Sequence, residues 1–237
     1  MWDRSIDGKT LTFRLWGINN QNFIMRDEET GSWWQQVSGE AIQGPLKGRK
    51  LAPVYSDEVS FEIWRSEKPQ TRVLRPDAQF ASQYVPDDWE KGLARLPVVT
   101  EMDPADALKA RDLVIGIDIA GRAKAYPFEL LAKQHLIIDM IGSEPIAIVL
   151  GDDGRSVRAF RRKVGERTLE LFAKPQTSPL QMIDAETGTV WDFSGRAASG
   201  GLVGTQLSKI TALKDYWFDW KTYHPQTKVF ALGATSQ

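Results

Sequence analysis

The order of apolar and polar positions divides the chain into short β segments, a few helical stretches and one long aperiodic segment. Lys9–Leu15 alternates after an Asp7-Gly8 turn signal, as a strand with one buried face should. Phe23–Arg26 and Ser32–Val37 flank Glu29-Thr30-Gly31 and predict a hairpin, while Gly39, Gly44 and Gly48 predict turns or bulges in further β structure. Ser56 is a candidate N-cap for a helix running to about Glu67 and stopped by Pro69. Phe61 and Trp64 lie three apart on one face of that helix, where they should pin it to a sheet. Residues 75–97 carry three prolines without periodicity and read as a linker or wrapping segment. Asp103-Pro104 then predicts a short helix through about Arg111. Leu113–Ile119, the turn Ala120-Gly121-Arg122 and Lys124–Pro127 predict a hairpin. Phe128–Ile138 reads as a helix with Leu131, His135 and Ile138 on one face. Pro145–Leu150 reads as a buried strand closed by Gly151-Asp152-Asp153-Gly154.

The same pattern occurs twice. Met25, Asp27, Thr30, Gly31 and Trp34 return as Met182, Asp184, Thr187, Gly188 and Trp191. One deleted position later, Gly39, Ala41, Gly44, Leu46, Gly48 and Leu51 return as Gly195, Ala197, Gly200, Leu202, Gly204 and Leu207. Trp64 and Pro69-Gln70-Thr71 match Trp220 and Pro225-Gln226-Thr227, and Thr10-Leu11 matches Thr168-Leu169. Self-similarity of this kind predicts a duplicated module. The expected organisation is a first module at 1–74 holding only the C-terminal half, a linker or wrapping segment at 75–97, and a second, complete but degenerate module at 98–237. The expected fold class is α+β, mainly antiparallel β with short packed helices. Met1 aligns with about Ala159, so the first copy opens in mid-module. Two expectations follow: a natural product that continues upstream, or a shortened protein. A half-module also predicts open sheet edges and self-association through them.

Composition narrows the chemistry. The 237 residues carry a net charge of −1, which gives no general attraction to nucleic acid or anionic membrane. No apolar run approaches the roughly 20 residues of a membrane span, and the N-terminus lacks the pattern of a signal peptide. There is no cysteine, which removes disulfides, thiolate nucleophiles and Cys-ligated zinc. Of the two histidines, His135 reads as a satisfied core residue and His224 as a dipole partner at a helix end. No metal site is expected: Asp152 and Asp153 fit a tight turn better than a cation site. The sequence leaves the cofactor unknown. Polar residues present in only one copy are the candidate ligand-binding set: Asn20, Asn22, Gln36 and Glu40, whose counterparts are Thr177, Pro179, Phe193 and Arg196. Amides beside a carboxylate can orient a ligand or a water, and Glu40 can act as acid, base or hard-cation ligand. The partner expected is a small-molecule ligand or a second copy.

Val-Ile-Gly-Ile-Asp-Ile-Ala-Gly-Arg-Ala-Lys-Ala-Tyr-Pro (114–127), Ile-Asp-Met-Ile-Gly (138–142), Asp-Gly-Lys-Thr-Leu-Thr-Phe (7–13) and the Trp34–Leu46 block together resemble the bacterial and archaeal domain-of-unknown-function 3179 family. The resemblance implies a fold context and no established reaction, and it supports Asn20, Gln36 and Glu40 as family-like positions. It also implies a Cys-Pro-Leu-Cys element that here falls on Gly151-Asp152-Asp153-Gly154, and a His-Glu pair that falls on Gln134 and His135. Relatives are often exported, which makes a periplasmic or extracellular location the expectation by resemblance. The leading reading is a ligand- or partner-binding module without thiol chemistry, and uncertain as an enzyme. The alternative is a fragment of a redox or metal-dependent enzyme whose Cys-x-x-Cys half lies upstream of Met1.

Overall fold

A computed structural model describes residues 1–19 and 22–232 of the chain. It begins with a two-stranded hairpin, β1 (Ser5–Ile6) and β2 (Lys9–Thr10), turned by Asp7 and Gly8 at positive φ. An antiparallel meander follows: β3 (Phe13–Asn19), β4 (Asn22–Asp27), β5 (Trp33–Gln35) and β6 (Ala41–Gln43). Its core is small: Leu11, Trp34, Ala41 and Leu51 are buried, with Trp2, Phe13 and Met25 packed against them. Helix α1 (Phe61–Glu67) leaves this meander, and a largely exposed segment with a 3-10 turn at Ala78–Gln83 and helix α2 (Trp89–Leu93) leads to the larger half.

The larger half has three sheet layers. Strands β7 (Leu113–Ile119) and β8 (Arg122–Pro127) form a hairpin, followed by α3 (Phe128–Gln134), β9 (Leu136–Ile141), β10 (Glu144–Leu150) and β11 (Val157–Arg161). A second small hairpin, β12 (Lys163–Val164) and β13 (Arg167–Thr168), precedes a second meander of β14 (Leu171–Ala173), β15 (Gln181–Asp184), β16 (Val190–Asp192) and β17 (Ala197–Ser199). The chain closes with β18 (Lys209–Ile210), β19 (Leu213–Tyr216), α4 (Trp217–Tyr223) and β20 (Lys228–Val229). The outer sheet has the order β19-β7-β8-β20, the middle sheet β18-β11-β10-β9, and the second meander forms the third layer. All pairings are antiparallel except β20 with β8.

Strand β10 explains why this half is stable as a stack. Side chains alternate across a strand, so Ile146, Ile148 and Leu150 face the outer sheet and α3, while Ala147 and Val149 face the second meander. A strand buried on both faces reads as a continuous apolar run, as this one does.

The mainly antiparallel β architecture with short helices is as the sequence implies. Four local expectations differ. The helix before Pro69 starts at Phe61 and not near Ser56; Ser60 is the N-cap, its hydroxyl accepting from the Ile63 amide at 3.4 Å. Asp103-Pro104 opens turns and no helix, with the Asp103 carboxylate accepting from the Ala105 amide. The helix from Phe128 stops at Gln134, because His135 takes φ 60° and Leu136 must pair with Val149 of β10. His135 is therefore an exposed C-cap residue and not part of the core. Finally, Trp217 and Trp220 pin α4 to Val114 and Ala125 of the outer sheet, but Phe61 is 58 % exposed and α1 buries no residue fully.

Equivalent hydrogen bonds appear in both meanders. Asp27 accepts from the Trp34 indole at 2.8 Å, and Asp184 from the Trp191 indole at 2.8 Å. Ser32 Oγ accepts from the Leu46 amide at 3.1 Å, and Thr189 Oγ1 from the Leu202 amide at 3.0 Å. Gly44 (φ 94°) and Gly200 (φ 98°) each press against the backbone of these residues, and a Cβ would lie 2.7 Å from Ser32 Cα or 2.6 Å from Thr189 Cα. Only glycine fits at either place.

Candidate functional site

A cleft of about 580 Å³ lies between α1 and the second meander. Its existence depends on how α1 is anchored. The Ser60 amide donates to Ser156 Oγ at 2.7 Å, and Ser156 Oγ donates to Asp153 Oδ2 at 2.6 Å. Asp153 Oδ1 accepts from the Arg155 and Ser156 amides, which closes the Gly151-Asp152-Asp153-Gly154 turn. Burial pushes the Asp153 carboxyl up, but these hydrogen bonds outweigh it and hold the group down at about 2. The start of the helix and the turn are thereby one hydrogen-bonded unit.

The other end of α1 is held by charge. Arg158 of β11 is 2 % exposed. Its guanidinium donates in parallel to Glu67 Oε1 (2.6 Å) and Oε2 (2.8 Å), and its Nε donates to Asp57 Oδ2 at 3.0 Å. Lys209 Nζ adds a bond to the same Asp57 oxygen at 2.9 Å. A buried charge needs this degree of pairing. Burial alone would lower the Arg158 pKa, and Glu67 with Asp57 more than offsets it, so the guanidinium stays charged. The guanidinium also lies 4.8 Å from the Phe193 ring centroid. Between the two anchors Ile63 enters the core of the second meander.

The lining that results is apolar on the floor and acidic on the rim. Ile63, Pro179, Leu180 and Phe193 supply the apolar part, and Glu62, Glu67, Asp152, Asp153 and Asp192 the carboxylates. Glu67 and Asp153 are engaged as described, and Asp192 accepts from Ser194 Oγ at 2.6 Å. Glu62 and Asp152 are exposed and make no ion pair or hydrogen bond among the described residues. No lysine, arginine or histidine lines the cleft. Among the described residues no group of three or more His, Cys, Asp or Glu side chains is arranged to hold a metal ion. At Gly151 the backbone would accept a side chain, but an added Cβ would lie 3.3 Å from both Ile63 and Phe193. A side chain here, where the resemblance places a cysteine, would have these neighbours shift by a few tenths of an ångström.

The sequence candidates lie elsewhere. Asn20 falls outside the described residues. Asn22 donates from Nδ2 to Asp219 Oδ1 of α4 at 2.6 Å, a contact between positions 197 residues apart. Gln36 is exposed and uses its backbone carbonyl to accept from the Trp2 indole at 2.6 Å. Glu40 is exposed, on an isolated bridge to Lys50. Around Asn22 the structure adds groups that periodicity did not single out: Asp215 at the end of β19, Asp219 one turn later, and Tyr223. Burial, then the Asp219 charge, pushes the Asp215 carboxyl up to about 8, and burial raises Asp219 as well. The Tyr223 hydroxyl is buried near the Asn22 and Gln35 amides with no hydrogen-bond partner of normal geometry among the described residues. The two histidines stay apart from both places. His224 caps α4, stacks 3.7 Å from the Trp220 ring with Nε2 3.8 Å from Asp118, and is held below its ordinary pKa by burial.

The one signal for the cleft was Arg158, an arginine inside a strand whose neighbours Val157, Ala159 and Phe160 are all buried. Such a residue announces buried carboxylate partners but does not say where in the chain they are.

Comparison with known proteins gives a family and nothing finer. A family model described as "Protein of unknown function (DUF3179)" matches residues 1–227. No curated protein and no solved structure matches the chain.

Proposed function

The chain belongs to the DUF3179 family, and from that premise we propose that it is a non-enzymatic binding module whose ligand occupies the cleft between α1 and the second meander. The observation that carries this reading is the cleft itself. Its volume of about 580 Å³ lies in the range of small-molecule sites, and it combines an apolar floor with a few polar groups. The charge of the rim sets the ligand class. With five carboxylates, two of them unengaged, and no cation in the lining, the complementary ligand is a cation on an apolar stem: an aryl- or alkylamine, or a basic side chain of a peptide.

The same proposal includes an internal duplication, in which the first meander and α1 correspond to the second meander and α4. The recurring sequence positions and the paired Asp27–Trp34 and Asp184–Trp191 bonds support it. Under this reading Phe193 and Asp192 of the cleft are the counterparts of Gln36 and Gln35. The expected polar surface around Asn20, Asn22, Gln36 and Glu40 then becomes the first copy's equivalent of the same site.

The test is a titration of the full chain with phenethylamine and 1,5-diaminopentane, set against 3-phenylpropionate, followed by backbone NMR shifts. The amines should move Ile63, Asp152 and Phe193 saturably, and the carboxylate should not. Glu62→Gln with Asp152→Asn should weaken amine binding up to about fivefold per exposed charge removed. Equal binding of amine and carboxylate, or no saturable shift at these residues, would sink the proposal.

A further inference from the structure

Away from the cleft, the first meander carries an aromatic and cationic surface. Met25, Asp27 and Trp34 point into its core, so alternation puts Ile24, Arg26 and Trp33 on the opposite, outer face. Arg26 of β4 lies directly across from Trp33 of β5, and the exposed Gln43 of β6 is next in the same row. Trp16 is the residue that the β3 bulge inserts between the pairs Leu15–Met25 and Gly17–Ile24. A bulge re-aims its side chain. Here the Trp16 ring comes 5.9 Å from the Trp33 ring, and Arg26 Cζ lies 4.8 Å from the Trp16 centroid. Trp16 still remains 52 % exposed. Gly17, opposite Ile24 on this face, widens the opening: it has no left-handed φ, and a Cβ there would meet nothing within 4 Å.

The meander fold does not require this set. The second meander makes the same Asp–Trp hydrogen bond, and the pair just before Asp184 and Trp191 is Ile183 opposite Val190. Nor is the guanidinium consumed. Among the described residues Arg26 has no carboxylate partner, and its Nε lies 3.5 Å from the Gly31 carbonyl oxygen, at the limit of a hydrogen bond. The other cation of the row, Arg14, is already paired with Glu28 at 2.7 Å.

We propose that the outer face of the first meander binds an acidic glycan, a chain of uronic acid residues, with one sugar ring stacked on Trp16 beside Gly17 and its carboxylate on Arg26. The C–H face of a pyranose is apolar and suits an exposed indole, while its hydroxyls suit an amide such as Gln43. A guanidinium pairs a carboxylate through two parallel N–H bonds and does so while stacked on an aromatic ring. Charge selects among the ligands that an aromatic platform takes. An unpaired guanidinium favours an anion over a neutral sugar. A nucleic acid strand calls for a line of cations along its phosphates, and this row offers one free arginine.

The full chain is titrated with tetragalacturonate, neutral maltotetraose and a short oligothymidylate, following the indole N–H signals of Trp16 and Trp33 by NMR. Tetragalacturonate should move both signals saturably and bind about fivefold tighter than maltotetraose. Trp16→Ala should weaken it about five- to tenfold. Arg26→Gln should bring the acidic-to-neutral ratio to about one, and Gly17→Val should block stacking. Thermal melts identify which variants are folded, and the unaltered chain decides the matter if none is. No saturable shift, equal binding of the two tetrasaccharides, or tighter binding of the oligothymidylate overturns the assignment. Shifts that follow protein concentration and ignore the glycan do so as well, because they assign the face to a second copy of the chain. Ile63 reports the cleft separately, so the result is independent of amine binding there.

Discussion

At the scale of single residues, the two meanders each rest on one carboxylate. Asp27 is 1 % exposed and takes hydrogen bonds from the Trp34 indole, the Thr30 amide and hydroxyl, and the Ser32 amide. Burial raises its pKa, and these donors together bring it below the ordinary value. Asp184 has the same relation to Trp191 and Thr187. Replacing either by alanine leaves a buried indole donor and a loop amide without an acceptor. Asp27→Ala and Asp184→Ala should each cost about 2–3 kcal/mol in urea unfolding, and similar losses would be the mark of equivalent roles. These residues were legible in the sequence because the Asp-x-x-Thr-Gly spacing is local and appears twice. Arg158 was not legible in the same sense. Its partners Asp57 and Glu67 are about a hundred positions away, and no local pattern connects a strand arginine to them.

At the scale of elements, the instructive pair is α1 and α4. Both are seven-residue helices with aromatics at the first and fourth positions, and both end in a cap residue near φ −130°. The sequence predicts the same role for both, and the structure gives them different ones. In α4, Trp217 and Trp220 are 1 % and 3 % exposed against the outer sheet, where Gly116 makes room for the Trp220 ring. In α1 the corresponding face is largely exposed, and the helix is instead held by Ile63, Ser60 and the Glu67–Arg158 pair. Trp217→Ala should therefore cost about 3–5 kcal/mol, whereas Phe61→Ser should stay within about 0.5 kcal/mol. Thermal melts of the two variants measure the contrast directly. The misreading of Phe128–Ile138 has a related cause. A short apolar run suits helix and strand alike, and the pairing of β9 with β10 decides for the strand from Leu136 onward.

At the scale of the whole molecule, the first meander presents its edge to solvent. Strand β3 is the outermost of its sheet, with Leu15, Trp16 and Ile18 all more than half exposed. A bulge between Leu15 and Gly17 interrupts the edge, which weakens it as a template for another strand without removing it. We propose concentration-dependent self-association through this strand. Sedimentation should show it, and Ile18→Lys should reduce it while leaving the fold intact; a monomer at all concentrations would rule it out.

The sequence by itself determined the elements whose reasons are local: the glycine turns, the two hairpins around Asp-x-x-Thr-Gly, the β7–β8 hairpin, the buried strand β10 and the lack of cysteine. These follow from φ requirements, alternation and residue type, which act over a few positions. Only the tertiary structure decided where the chain makes a cleft, that α1 rather than the first meander supplies one of its walls, and that Asn22 meets Asp219 of α4. Each of those facts joins residues from about ninety to two hundred positions apart. Burial of charge rewards such contacts only after the sheets have stacked, so no periodicity along the chain records them.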